Sequence, residues 1–225
     1  MNKEVDAARQ GLSDAETGGA ITEGFLAPGM GEYVLLPGNP NRITLMAGQW
    51  DAGSAKEYDL NRGYRAATGT FRGIPISAMS TGMGGPNLEF PLTTLASAGA
   101  HTFIRVGTTG TIQENIKIGD IIINDCNVRL DGTSQLYVRE EYPSAASYEV
   151  VMALVKACEN LGFPYHVGVG CTPSSFYAGQ LRPSFGGYKR QSMDAEFEDL
   201  RAAKVLNFDM EGSALFTLAR LFGLR

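Results

Sequence analysis

The chain is predicted to be a single α/β domain: a central mixed, mostly parallel twisted β-sheet flanked by helices. Short apolar runs alternate with amphipathic stretches along its 225 residues, and glycine-rich turns follow several of those runs. With 44% hydrophobic and 19% charged residues the chain can bury one substantial core, and its 28 glycines suit many tight turns between short elements. Residues 31–225 are expected to form the domain, preceded by a polar segment at 1–30 that is rich in alanine and glycine.

The first strand is expected at 33–36. It runs into Pro37-Gly38-Asn39-Pro40-Asn41-Arg42, a glycine turn entering a helix whose first N–H groups would favour negative charge. A second strand at 74–80 leads to the turn Thr81-Gly82-Met83-Gly84-Gly85-Pro86, then to a helix over 87–98 ended by Gly99. Strands follow at 102–106 and 119–124, a helix at 147–161 with Ser147 as N-cap, and a strand at 166–169. The last strand, 205–208, feeds Asp209-Met210-Glu211-Gly212-Ser213 and a strongly apolar helix reaching Phe222, with Gly223 as its cap. A buried helix of this kind ordinarily returns the chain to another strand, so the natural domain is expected to continue past Arg225.

Charge and composition exclude several classes of function. A net charge of −5 and a pI near 5.1 argue against a broad surface for nucleic acid or anionic membrane, which depends on a dense basic patch. Cys126, Cys158 and Cys171 lie far apart without a CxxC spacing, which fits a reducing compartment, offers no zinc site and makes them packing residues. The amino end lacks the apolar core of a signal peptide, and no apolar run approaches the ~20 residues that span a bilayer. A cytoplasmic protein is expected.

The stretch Arg105-Val106-Gly107-Thr108-Thr109-Gly110 is the most informative, because it places a charge, two hydroxyls and bare backbone at the end of an apolar run. With Gly38 and Arg42, two strand ends each deliver a glycine and an arginine, an arrangement suited to one shared phosphate. Arg42 alone could be a solvated surface charge. Arg105 stands within an apolar strand, where an unpaired charge is costly, so it calls for a bound anion or a buried partner. Glu211 could merely complement a helix dipole, and its grouping with Asp209 and Met210 at a strand end favours function. Phe176 and Met210 could be plain core. Gln180 and Arg182 lie in a loop where long polar side chains ordinarily face water. His101 and His166 are read as structural residues at strand boundaries, and the Thr81 to Pro86 turn as structural in its side chains.

Taken in order, Gly38 to Arg42, Thr81 to Pro86, Arg105 to Gly110, Phe176-Tyr177-Ala178-Gly179-Gln180-Leu181-Arg182 and Asp209-Met210-Glu211 resemble the nucleoside phosphorylase family, and within it the uridine phosphorylases. The similarity covers nearly the whole chain from about Val34. It implies a nucleoside phosphorylase-like fold and reversible phosphorolysis of uridine to uracil and ribose 1-phosphate, with phosphate as co-substrate and no cofactor or metal. The resemblance assigns Gly38, Arg42, Arg105 and Thr108 to phosphate, and adds Arg62 from a neighbouring subunit, hence at least a dimer and, by analogy, a hexamer. Glu211 would accept from the ribose 2′ and 3′ hydroxyls, Met210 would pack on the sugar with Thr109 near it, and Gly110 and Asp209 belong to the same nucleoside set. Gln180 and Arg182 would meet the uracil carbonyls, where negative charge accumulates as the base leaves, and Phe176 would lie against the ring. The residues with catalytic roles are then Arg105, Thr108, Glu211, Gln180 and Arg182.

The chain departs from the family's pattern in three places. It has no histidine before His101, where relatives bring one to the ribose of an adjacent subunit, so a residue at 20–25 substitutes or the contact is missing. Gly63 and Asn87 stand where relatives with a monovalent cation have glutamate and serine, and no cation is predicted. Two other readings stay open: a purine nucleoside phosphorylase or nucleosidase on the same scaffold, and a non-catalytic nucleoside-binding protein.

Overall fold

The computed structural model describes residues 30–225. Most of the amino-terminal segment, including the stretch 20–25 where a histidine substitute was one alternative, lies outside the described residues. The α/β class is borne out, with the strands hydrogen-bonded as two five-stranded sheets. The chain divides into two compact units, one running up to Gly82 and including Phe90–Gly107, the other made of Met83–Glu89 and Thr108–Arg225.

In the first unit the sheet order is β2-β3-β4-β1-β5, formed by β1 (Tyr33–Pro37), β2 (Lys56–Asp59), β3 (Arg65–Phe71), β4 (Ile74–Met79) and β5 (Thr102–Val106). β4, β1 and β5 are parallel, and β3 and β2 are added antiparallel. The parallel strands match their sequence expectations within a residue. The short helix α1 (Arg42–Ala47) lays Ile43 and Ala47 on Trp50, Ala67 and Ala78. Trp50 packs so close to β3 that a Cβ on Gly69 would lie 2.8 Å from its ring. Helix α2 (Gly85–Ser97) contributes buried Leu92 and Leu95 from its later turns, and Gly99, at φ +100, ends it as anticipated. The polar edge strand β2 has no apolar alternation to announce it. Arg65 of β3 holds it through Asp59 (2.8 Å) and Glu57 (3.2 Å).

In the second unit the order is β6-β10-β9-β7-β8, from β6 (Gly110–Thr111), β7 (Ile121–Leu130), β8 (Ser144–Ala145), β9 (Tyr165–Pro173) and β10 (Asn207–Phe208). β10, β9 and β7 are parallel, with β6 and β8 antiparallel at the edges. The helices are α3 (Gly132–Gln135), α4 (Tyr148–Leu161), α5 (Met193–Ala202) and α6 (Gly212–Leu221). Ile112, Cys171, Val205 and Phe208 form a buried cluster, with Leu181, Phe197 and Leu200 packed on it. Burial pushes the Cys171 thiol up to about 12 and that of Cys126 up to about 11, so neither is a thiolate near neutral pH.

Four sequence expectations shift here. The strand expected at 166–169 runs from Tyr165 to Pro173. The strand expected at 119–124 starts only at Ile121, because Gly119 is left-handed and the Asp120 carboxylate accepts from the Lys117 amide (3.0 Å) and pairs with His166 (2.9 Å). Ser147 does precede α4, but its hydroxyl donates to Glu149 (2.7 Å) rather than capping a backbone amide. The strand expected at 205–208 forms ladder pairs only at Asn207 and Phe208.

A buried polar node stiffens the second unit beneath α6. Asp131, only 1% exposed, accepts from the Ser134 amide (2.7 Å), from the Ser134 hydroxyl (2.6 Å) and from the Ser213 hydroxyl. Arg129 donates to Ser134 (3.1 Å) and clamps the carbonyls of Arg139 (2.7 Å), Glu140 (3.1 Å) and Tyr142 (2.8 Å). Replacing a buried ion with an apolar chain strips all these acceptors at once. Arg129→Met is therefore expected to cost about 3 kcal/mol in urea denaturation. A loss below about 1 kcal/mol would mean that the 139–142 segment is held by other contacts.

Candidate functional site

Gly38, Arg42 and Arg105, candidate phosphate residues of the first unit, gather where β1 and β5 end. Parallel pairing sets Pro37 opposite Val106, so Gly38 and Gly107 leave the sheet side by side. The half-buried Arg105 guanidinium lies against both glycines. A Cβ on Gly107 would stand 2.3 Å from its Nη1, and one on Gly38 would stand 3.9 Å from its Nη2 and 3.0 Å from the Gly82 carbonyl. Arg42 donates Nη1 to the Val106 carbonyl (3.2 Å), which draws its side chain back over the end of β5. Gly82 N–H donates to the Gly38 carbonyl (3.0 Å), and Thr81 N–H to that of Pro37 (2.8 Å), so the second glycine turn braces the first.

One expectation is corrected at this place. The first amides of α1 were expected to face an anion, but Asn41 N–H donates to Asn39 Oδ1 (2.9 Å), Arg42 N–H to the Asn39 carbonyl (3.1 Å) and Ile43 N–H to the Pro40 carbonyl (3.1 Å). Any anion here is held by side chains and glycine backbone, with no help from the helix terminus. Arg62 is exposed in the turn between β2 and β3, in a left-handed backbone conformation (φ 60, ψ 22), a strain of about 1 kcal/mol for a residue other than glycine.

The nucleoside candidates and Thr108 belong to the second unit. Thr108 is exposed at its start. Glu211 is 1% exposed, and its Oε1 accepts from the Gly84 amide (2.6 Å). A buried carboxylate needs such donors, so the turn that the sequence analysis treated as structural holds a site residue through its backbone. Asp209 does different work: its carboxylate accepts from the Thr172 hydroxyl (2.5 Å) and from the amides of Gly212 (2.6 Å) and Glu211 (3.4 Å). It caps α6 and orients the residue beside it, with half-buried Met210 in between.

The loop after β9 folds tightly on itself. A Cβ on Gly179 would lie 2.6 Å from the Ser175 carbonyl, and Leu181, left-handed at φ 58, anchors the loop on the Ile112 and Phe208 cluster. Gln180 is 6% exposed, against the expectation that it would face water. Arg182 places its guanidinium 5.0 Å over the Phe176 ring and within 3.0 Å of where a Cβ on Gly110 would stand. Phe176 in turn meets Tyr177 edge-on at 5.2 Å. Arg182, Phe176 and Gly110 thus share one loop-built corner, with Gln180 two residues before Arg182 on the same loop. Among the described residues no group of three His, Cys, Asp or Glu is placed to hold a metal ion, and no helix is long and apolar enough to cross a membrane.

The sequence analysis missed Gly84, Thr172, Asn124 and Asn207. Only Gly84 carried a signal, as part of a glycine turn. The others are polar residues within strands, and they acquire meaning only from the partners that strand pairing brings.

A sequence model of the phosphorylase superfamily matches residues 32–225. The chain is 50% identical over 193 residues to the uridine phosphorylase of Thermococcus kodakarensis, covering 86% of this chain and 69% of that one. It is 34% identical over 192 residues to the Escherichia coli uridine phosphorylase (85% and 75% covered), and 29% identical over 194 residues to the guanosine phosphorylase of Halorubrum lacusprofundi (86% and 74%).

The capping role of Asp209 has a measurable consequence. Asp209→Ala removes the acceptor of the Glu211 and Gly212 amides at the start of α6 and the Thr172 partner, and is expected to lower stability by about 1–2 kcal/mol in chemical denaturation. An unchanged midpoint would show that α6 does not depend on this cap.

Proposed function

We propose that this chain, which belongs to the phosphorylase superfamily, catalyses the reversible phosphorolysis of uridine to uracil and ribose 1-phosphate, in pyrimidine salvage. A phosphate oxygen bonds to the anomeric carbon as the N-glycosidic bond breaks, its electron pair leaving with the base. Arg42, Arg105, Thr108 and the bare backbone at Gly38 are assigned to the phosphate, whose negative charge calls for guanidinium forks and hydroxyl donors. Glu211, held by Gly84, is assigned to the ribose hydroxyls, with Met210 packing on the sugar. Gln180 and Arg182 are assigned to the uracil carbonyls, Arg182 being steadied over Phe176.

The observation that carries the choice of base is Gln180. Its side-chain amide both donates and accepts, which matches the adjacent carbonyl and imide N–H of uracil. A purine presents a different edge, and a nucleosidase would have no use for the arginines assigned to phosphate. The same reading makes Arg62 a phosphate ligand lent to a neighbouring subunit of a homo-oligomer, a hexamer by family analogy, and makes the protein cytoplasmic. It requires no metal or organic cofactor.

The test is uracil release from uridine, followed by ultraviolet absorbance with and without phosphate. Release only with phosphate is expected, and release without it would indicate hydrolysis. Arg105→Ala is expected to lower kcat/KM by about 10²–10³. Gln180→Ala is expected to lower the uridine-to-inosine preference by about tenfold or more. Equal losses on both nucleosides would overturn the assignment of the base loop.

A further inference from the structure

A chain of amides runs through the second unit and ends at Thr109. Asn124, at the register shift in β7, donates Nδ2 to the Gly168 carbonyl (3.2 Å). A carbonyl can only accept, so this bond fixes which end of the Asn124 amide is nitrogen. The same Nδ2 donates to Asn207 Oδ1 (2.7 Å), and Asn207 Nδ2 lies 3.3 Å from Asn124 Oδ1 in return. Asn207 is 2% exposed and thereby also oriented. Its Nδ2 is left facing Thr109 Oγ1 at 2.8 Å. The hydroxyl cannot point its proton at an N–H donor, and it donates instead to the Phe208 carbonyl.

A hydroxyl oxygen has one proton and two lone pairs. At Thr109 the proton is committed to Phe208 and one lone pair to Asn207. What remains on this exposed residue is a lone pair. We infer that Asn207 is a positioning residue that makes Thr109 Oγ1 a dedicated acceptor for an O–H or N–H donor of the bound nucleoside, and not a donor to phosphate oxygens. The inference rests on the uridine reading above and deepens it. It separates the two threonines of the Arg105 to Gly110 stretch by polarity: Thr109 is closed to an anion, whereas Thr108 is the one assigned to phosphate.

Two donors on the nucleoside fit this lone pair, a ribose hydroxyl and the imide N–H of uracil, and substrate analogues tell them apart. The variants are Thr109→Val, Thr109→Ser and Asn207→Asp, with KM measured separately for uridine and phosphate. Asn207→Asp keeps the bond from Asn124 but sets a second acceptor oxygen against Oγ1. One proton cannot serve both acceptors, so the hydroxyl is pushed out of place. Loss of one neutral hydrogen bond corresponds to a rise in uridine KM of about three- to tenfold in Thr109→Val and Asn207→Asp, with phosphate KM unchanged. Thr109→Ser should restore the wild-type value. In a Thr109→Val background Asn207→Asp should add nothing, which a merely structural effect would not reproduce. Of 2′-, 3′- and 5′-deoxyuridine and N3-methyluridine, one should be insensitive to Thr109→Val, and that analogue identifies the missing donor. If melting shows Asn207→Asp to be unfolded, Asn207→Ser, neutral and too short to reach Thr109, takes its place.

The inference is overturned if phosphate KM rises as much as uridine KM, if the Asn207 effect persists in the Thr109→Val background, or if all four analogues shift with uridine. Each of these leaves the phosphorolysis reading standing. Absence of phosphate-dependent uracil release from the wild-type protein overturns that reading instead, and with it the nucleoside assignment of Thr109.

Discussion

Parallel pairing of β1 with β5 brings Pro37 opposite Val106, and parallel pairing of β9 with β10 brings Cys171 opposite Phe208. Parallel strands end on the same edge, so whatever follows them in sequence emerges together. In the first unit these residues are Gly38 and Gly107, between which the Arg105 guanidinium lies. In the second unit Thr172, still inside β9, and Asp209, directly after β10, hydrogen-bond to each other and set the start of α6. Both of these pairings follow from this one constraint of strand direction. A Cβ at Gly38 would press on the Gly82 carbonyl, and one at Gly107 would displace the Arg105 guanidinium.

The energetic difficulty of the second unit is the number of carboxylates it buries. Glu211 and Asp131 are both 1% exposed, and charge removed from water is unfavourable unless donors replace the lost hydration. Backbone amides and serine hydroxyls supply them, from Gly84 for Glu211 and from Ser134 and Ser213 for Asp131. Ser213 and Glu211 both stand at the start of α6, so the helix that carries the residue proposed for the ribose is pinned by Asp131 and Gly84. Preorganisation of this sort allows a carboxylate to meet sugar hydroxyls without reorganising when substrate arrives.

Much of the architecture was legible because buried parallel strands write themselves as continuous apolar runs: 33–36, 74–80 and 102–106 were each placed within a residue. The polar edge strand β2 and helix α5, whose exposed faces dominate their composition, left no such trace. Arg105 was legible for the converse reason, a charge standing in an apolar run. Gln180 was not. It sits in a polar loop, and its neighbouring residue Leu181 packs on a cluster whose members lie far along the chain.

The sequence by itself determined the α/β class, the strand ends that carry glycine and arginine, and the ordered motifs of the family, because those depend on local periodicity and residue chemistry. Only the tertiary structure decided that the amides of α1 are occupied by Asn39 and Pro40, that Gly84 serves Glu211, that Asp209 is a cap, and that Asn207 sets the polarity of Thr109. Each of these depends on which donor meets which acceptor. Hydrogen bonding is short-ranged and directional, so such pairings arise only once strand order and register have brought distant residues within about 3 Å.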